Sequence, residues 1–389
     1  MRREAPWPGA LWALLFGNFA IGTGVMVVPG TLPELAASFS TSIAAVGQLI
    51  TAGALVVCVG APLLAGLVAG WDRRRLLAVS LAWFALGHLA SALMPTLGAL
   101  LPVRMATLVA PAVFTPQAAA CVGMLVPPHR RAAAVAFIFL GWSLASVLGL
   151  PMAAYLGGHW GWRAAFGVIA ALTAIGALWV WRTMPAGVKP APLSREGWLQ
   201  VLRHPILVPV VGITLLQAAG QFVLFSYFGP LLVQRLHAGP GELSLIWLWI
   251  GLCGVVGNLL ATRYMDRLGS AGMAMLAMAL ISVSLLLWPL GLALGWTALT
   301  AVLLPWGLGC FAANSSQQAR LVGLAPTLAS ASIALNSSAM YMGQAAGAGL
   351  GGWLLARGTS SWMNWCGLAC LVAAMLLSLN LGRRGRATA

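Results

Sequence analysis

The chain has 389 residues, 61% of them hydrophobic and 7% charged, with a mean hydropathy of +0.93 and a formal net charge of +15. Soluble domains are roughly 45–50% apolar and 25% charged, so these few polar groups cannot clothe a water-soluble globule, and the solvent for most of the chain is lipid. That setting also sets aside the nucleic-acid partner which 21 Lys and Arg against 6 acids would otherwise suggest, because the basic residues fall in the connections between apolar runs.

The first segment, MRREAPWPGALWALLFGNFAIG, imitates a signal peptide with its basic start and apolar core. It lacks a convincing small-residue cleavage site and similar segments follow, so it reads as a retained first span. About twenty apolar residues are needed to cross a hydrocarbon core of about 30 Å. Runs near 9–29, 44–68, 76–95, 100–125, 132–156, 163–182, 206–230, 243–265, 271–292, 296–319, 329–354 and 360–381 meet that need, which makes twelve helical spans. No alternating ten-residue pattern is present, which excludes a transmembrane β-barrel.

Twelve spans place both termini on one side. The termini and even-numbered connections hold 17 of the 21 Lys and Arg residues, while Arg104, Arg163, Arg235 and Arg357 lie toward the other side. The termini are therefore expected in the cytoplasm.

Polar residues inside the runs are few. Glu34 stands just beyond span 1, where it either titrates or caps the helix starting PELAASF. The turn after span 2 carries Asp72, Arg73, Arg74 and Arg75, readable as a latch between helix ends or as a plain topology marker. His88 lies within span 3. Arg104, about a turn inside span 4, either snorkels outward or faces the interior, and a charge at mid-bilayer costs ~2.5–3.5 kcal/mol. In span 5, Gly141, Gly149, Pro151, Gly157 and Gly158 allow a kink and close packing. The interval 182–205, with four prolines, divides the spans six and six, and SREGWLQVLRH within it suits a surface helix with Ser194 as N-cap. Gln217 and Gln221, four apart, share one face of span 7. All six cysteines fall in apolar runs without histidines at metal spacing, so neither a metal nor another cofactor is expected.

The two parts echo each other. GLVAGWDRRRLL after span 2 matches ATRYMDRLGSAG after span 8, with Gly70 opposite Asp266. GLPMAAYLGGHWGW (149–162) matches GLGGWLLARGTSSW (349–362), pairing Gly149, Leu150 and Trp162 with Gly349, Leu350 and Trp362. The echoes indicate a duplicated six-helix unit.

Four stretches carry a family likeness: IGTGVMVVPGTLPELAASF, GQLITAGALVVCVGAPLLAGLVAGWDRRRLL, LPVRMATLVAPAVFTPQAAACVGMLVPPHRR and GWSLASVLGLPMAAYLGGHWGWRAAF. They resemble the major facilitator superfamily, and most closely its twelve-span drug:proton antiporter branch with the bacterial arabinose-efflux-permease-like members. The resemblance implies a multi-pass protein of the bacterial inner membrane, surrounded by lipid. Its all-α fold has two six-helix bundles, residues 1–182 and 206–389, joined by a cytoplasmic linker at 183–205. It also implies alternating access for a small-molecule substrate, with protons as partner. The substrate cavity of such a fold lies among spans 1, 4, 7 and 10, which here carry Asn18, Phe114, Thr115, Gln117, Gln217, Gln221, Phe225, Trp306, Asn314, Ser315 and Gln317. Such a lining suits a neutral, amphipathic or weakly cationic molecule.

In the family the helix-end motif latches the bundles, but here its aspartate position is Gly70, with Asp72 two places late. The second half keeps Asp266, Arg267 and Gly269 in order. Arg104 occupies the basic position of the span-4 motif, with Leu108 where a glycine is usual. Relatives also carry an acid after the Gly-Thr of span 1, and this chain has Gly24 there, leaving Arg104, Glu34 and His88 as coupling candidates. The leading reading is a proton-driven exporter of small organic compounds. Beside it stand an uncoupled facilitator or uptake permease, which the missing acid favours, and a transporter-like sensor or scaffold. A membrane enzyme is set aside, since no Ser/His, His/Asp or two-carboxylate set can converge and no phosphate-binding glycine loop opens a helix.

Overall fold

A computed structural model describes residues 8–68, 70–127, 130–189, 195–325 and 328–387, and among them every regular element is helical. The first half of the order is α1 (Gly9–Gly30), α2 (Leu32–Ser38), α3 (Ile43–Leu67), α4 (Arg73–Ala92), α5 (Leu97–Thr107), α6 (Val109–Leu125), α7 (Arg131–Leu144), a π-helical turn (Ala145–Gly149), α8 (Leu150–Trp160) and α9 (Trp162–Thr183). Then follow α10 (Arg195–Arg203), α11 (Leu207–Phe225), α12 (Phe228–Leu236), α13 (Pro240–Leu294), α14 (Trp296–Leu324), α15 (Ala329–Ala356) and α16 (Met363–Ala387). The surface helix read from the linker is α10, and Ser194, its expected cap, lies outside the described residues.

Eleven helical stretches among the described residues are long and apolar enough to cross a membrane. The expected eleventh span exists as α15, 28 residues long, but it is not one of those eleven. Asn336, Ser337, Ser338 and Gln344 make it more polar than its neighbours. Helix α13 contains two of the stretches, Pro240–Met265 and Arg267–Leu294, and is kinked at Gly269, whose φ of 70° and ψ of 158° are open to glycine and strained for other residues. Short side chains begin several helices. Ser42 accepts the Ala45 N–H at 3.1 Å, Asp72 the Arg75 N–H at 3.2 Å and Thr96 the Ala99 N–H at 3.2 Å.

Three expected spans are broken. Span 4 divides into α5 and α6 at Leu108, and Pro111, with no N–H to donate back to Thr107, falls in the first turn of α6 where that loss costs nothing. Span 7 divides into α11 and α12 at Ser226–Tyr227. Span 5 passes through the π-helical turn just before Pro151, and the wider turn absorbs the proline's missing hydrogen bond.

The echo in sequence recurs as packing. A Cβ on Gly141 would press on the Leu15 carbonyl and the Phe19 amide of α1, and one on Gly343 would press on the Leu215 carbonyl and the Ala219 amide of α11. The polar ties recur as well: Asn18 of α1 donates to the Ile138 carbonyl of α7 at 3.1 Å, and Thr214 of α11 donates to Asn336 Oδ1 of α15 at 2.6 Å. Backbones this close are held by dispersion and by hydrogen bonds in lipid, where apolar burial gives no drive to associate.

Residues before 189 and after 206 meet at the end of the molecule that holds the connection 31–42. There α3 packs on α15. Thr51 Cγ2 lies 3.6 Å from where a Cβ of Gly349 would stand, and Gly47 and Gly352 both lie against the Tyr227 hydroxyl. The π-helical turn and α8 pack on the start of α13. Ser244 donates to the Pro151 carbonyl at 3.0 Å, Gly158 abuts Pro240, and a Cβ on Gly251 would stand 2.8 Å from the Ser146 oxygen. Toward the opposite end α3 loses its cover. Val46 is fully buried, whereas Leu63 is 65% and Leu67 75% exposed.

Candidate translocation site

Arg104 of α5 is a charge buried within the first half. Its Nη1 lies 3.0 Å from Nε2 of His88 on α4, and its Nη2 donates to the Gly24 carbonyl of α1 at 2.6 Å. The Phe166 ring of α9 lies beneath it, 5.8 Å from the guanidinium carbon. His88 Nδ1 is 2.9 Å from the Phe84 carbonyl. A carbonyl only accepts and a guanidinium only donates, so Nδ1 carries the proton and Nε2 accepts from Arg104. With 1% exposure, Arg104 does not snorkel outward. Its Nε has no partner, and the side chain borders a small cavity of about 10 Å³, room for about one water, with Tyr341 and Gln344 of α15 across from it.

Gly24 is the position where the family resemblance implies an acid. A Cβ there would lie 2.5 Å from Phe84 Cε1 and 2.9 Å from His88 Cε1. The two rings occupy that space, and the Gly24 carbonyl takes the guanidinium instead of a carboxylate. The sequence shows both Arg104 and His88 but not that they meet. Their separation of sixteen residues bridges two helices, and only the fold brings them together.

Glu34 lies in the first turn of α2, where the helix N-terminus favours a negative charge. Thr31, the residue before that helix, makes no side-chain cap. Glu34 is half-buried, its Oε2 is buried without a partner, and its Cδ lies 3.9 Å from where a Cβ of Gly157 would stand. Burial raises its carboxyl above the ordinary 4.5, opposed in part by a hydrogen bond from its own backbone.

The residues expected around the cavity fall into three groups. Asn18 and Thr115 are joined, Thr115 donating to Asn18 Oδ1 at 3.1 Å, with Gln117 buried on the same helix as Thr115. Phe114, fully buried, lies against Gly17 of α1. Phe225 and Trp306 belong to an aromatic cluster: Phe225 stands 5.2 Å from Trp247, and Phe228 stands 5.1 Å from Trp306 and stacks on Trp288 at 4.9 Å. Trp306 and Phe114 are thus packed inside the helices rather than bare to an open space. In the third group, Gln217 Oε1, Asn314 Oδ1 and both amide atoms of Gln317 are buried without a hydrogen-bond partner, while Gln221 is half-exposed. Ser315, between Asn314 and Gln317, donates instead to Asn258 Oδ1 at 2.5 Å.

The charged turn does something its sequence does not suggest. Asp72 Oδ2 accepts the Gly187 N–H at 2.5 Å, the Arg73 amide donates to the Val188 carbonyl at 3.0 Å, and Arg74 Nε donates to the Trp181 carbonyl at 2.7 Å. Asp72 and the backbone beside it therefore fasten the start of the linker to the end of α3 and the start of α4. Partial burial raises the Asp72 carboxyl, but hydrogen bonds from the Gly187, Arg75 and Arg74 amides, with the Arg75 charge, hold it below its usual 3.8 overall. In the second half Arg267 stacks over Tyr264 at 5.8 Å, and the Asp266 side chain lies outside the described residues. Gly149 lies against the Thr23 side chain, and Pro151 offers its carbonyl to Ser244.

Residues 14–333 match the family model described as Major Facilitator Superfamily. The chain is 32% identical over 348 residues to the inner membrane transport protein YdhP of Escherichia coli (strain K12), covering 90% of this chain and 89% of that one. It is 31% identical over 334 residues to a probable sugar efflux transporter of Helicobacter pylori (strain ATCC 700392 / 26695), covering 85% and 84%. The crystal structure of a D-xylose-proton symporter superposes with a TM-score of 0.75 at 18% identity, covering 95% of this chain and 96% of that one, a likeness of fold.

Proposed function

The chain belongs to the Major Facilitator Superfamily, as a multi-pass transporter of the bacterial inner membrane and not an enzyme, and from that premise we propose that it exports small neutral organic molecules by alternating access. Two six-helix halves, 1–182 and 206–389, rock about the seam of α3 with α15 and of α8 with α13, with both termini in the cytoplasm. The observation that carries the substrate reading is the set of buried amide atoms with no protein partner at Gln217, Asn314 and Gln317. A buried polar atom costs free energy until it finds a partner, and a hydroxyl-rich cargo supplies one. The sugar efflux relative makes sugars the first class to try.

Proton coupling falls to Glu34 in this reading, with the Arg104–His88 pair, ten residues back along the chain at Gly24, as a fixed charge of the same half. Glu34 sits at the closed end, where burial favours its protonated form. Because its pKa is raised in the closed form, that form binds the proton more tightly. Closure gains stability as the pH falls through the raised value and loses it as the pH rises above it. In proteoliposomes loaded with sugars, an imposed pH gradient is expected to drive flux, and Glu34→Gln, a fixed mimic of the protonated acid, is expected to erase the pH dependence. Flux with the same pH profile in the variant removes Glu34 from the coupling. Flux indifferent to the gradient in the unmodified protein favours an uncoupled facilitator, for which Gly24 in the place of an acid is the supporting observation.

A further inference from the structure

The first twelve residues of α13, a little over three turns, present two faces. Ser244 and Gly251, seven residues apart, lie on the face that packs the seam. Glu242, Leu245 and Trp249, at spacings of three and four, lie on another, beside Trp296 and Thr300 at the start of α14. Together with Ile246 they line a groove of about 470 Å³. Trp249 donates its indole N–H to the Thr300 carbonyl at 3.0 Å, which fixes the ring against the groove wall. Leu245 is 66% exposed.

Both helices begin here, so the mouth of the groove is level with a membrane interface, where tryptophan is favoured. Trp249 stands about 10 Å deeper at 1.5 Å per residue. At the mouth, Glu242 Oε2 accepts the Gly239 N–H at 3.0 Å, and the carboxylate has no cationic partner among the described residues. The remainder of the lining is aromatic and aliphatic apart from the Thr300 hydroxyl. An unpaired carboxylate beside indole rings attracts a cation, and the apolar wall below accepts hydrocarbon. On a chain of net charge +15, this is a local site of the opposite sign.

We propose that this groove is a binding site for a phospholipid with a primary ammonium headgroup, the ammonium on Glu242 and an acyl chain along Leu245 and Trp249. The lipid grips the back of the same stretch of α13 whose front closes the seam. Its binding therefore stiffens the start of α13 and favours the closed end.

The test is the thermal unfolding of the purified full-length protein in detergent, titrated with dioleoylphosphatidylethanolamine or dioleoylphosphatidylglycerol, which share their acyl chains. The ethanolamine lipid is expected to raise the midpoint by about 2–4 °C and the glycerol lipid to raise it by less than half as much. Glu242→Gln keeps an oxygen to accept from Gly239 and is expected to lose most of the gain. Leu245→Lys, which brings a competing cation to the groove, is expected to lose it too. An equal gain from the glycerol lipid, or a full gain retained in either variant, overturns the proposal.

Discussion

Arg104→Ala is expected to abolish cargo flux and to lower stability by about 2–4 kcal/mol, since His88 Nε2 is left buried without a donor and the Gly24 carbonyl loses the second of its two donors. The cost is moderated because a buried charge, itself expensive in lipid, leaves with the side chain. Arg104→Lys separates the two contributions. A lysine keeps the charge, but its single ammonium cannot hold an imidazole and a carbonyl on separate nitrogens as the guanidinium fork does. It is therefore expected to transport poorly while unfolding closer to the parent. Sugar flux in proteoliposomes and the unfolding midpoint in detergent check both variants. A lysine variant with parental flux would show that charge alone, not the fork between α1, α4 and α5, is what the site uses.

Gly251→Leu is expected to stop transport without unfolding the protein. A Cβ at this position would stand 2.8 Å from the Ser146 oxygen and the Val147 Cα, both backbone atoms that cannot turn aside. The clash exists only where α13 meets the π-helical turn, so the side chain penalises the closed seam and spares each half. Overpacking of this kind costs about 1–3 kcal/mol or more when backbone must move. In an equilibrium poised within a few kcal/mol, that is enough to hold the closed end apart. Measured flux should be lost while the circular dichroism and the unfolding midpoint stay near parental values. Parental flux in this variant would place the moving seam elsewhere.

Much of the fold was legible in the residues. Apolar runs of about twenty give helices wherever lipid is the solvent, because only a helix satisfies its own backbone. The glycines of span 5 announced close packing there, without showing that α1 is the partner or that Gly343 repeats the contact on α11. The breaks at Leu108 and Ser226–Tyr227 were not legible, since hydropathy carries no record of a change in backbone direction inside an apolar run. Nor did hydropathy distinguish α15, whose serines and amides lower its apolarity without shortening its helix.

The candidate site was legible residue by residue and not in its pairings. Arg104 and His88 appeared as separate anomalies, and the packing of α5 on α4 makes them one hydrogen-bonded unit. The charged turn was readable as a latch or as a topology marker, and neither reading contained its contacts, which run from Asp72 to Gly187 and tie down the linker. Gly24 was the most informative position: its missing side chain is what lets Phe84 and His88 close over α1 and Arg104 reach a backbone oxygen.

The central claim is that the contact of α3 with α15 opens and closes during each transport cycle. A disulfide between Thr51→Cys and Gly349→Cys, in a background with the six native cysteines replaced, tests it most directly. Thr51 lies 3.6 Å from where a Cβ of Gly349 would stand, within reach of the bond. Oxidation is expected to cross-link the two helices and abolish sugar flux, and a reductant is expected to restore it. A cross-linked protein that transports as well as the reduced one would contradict the account.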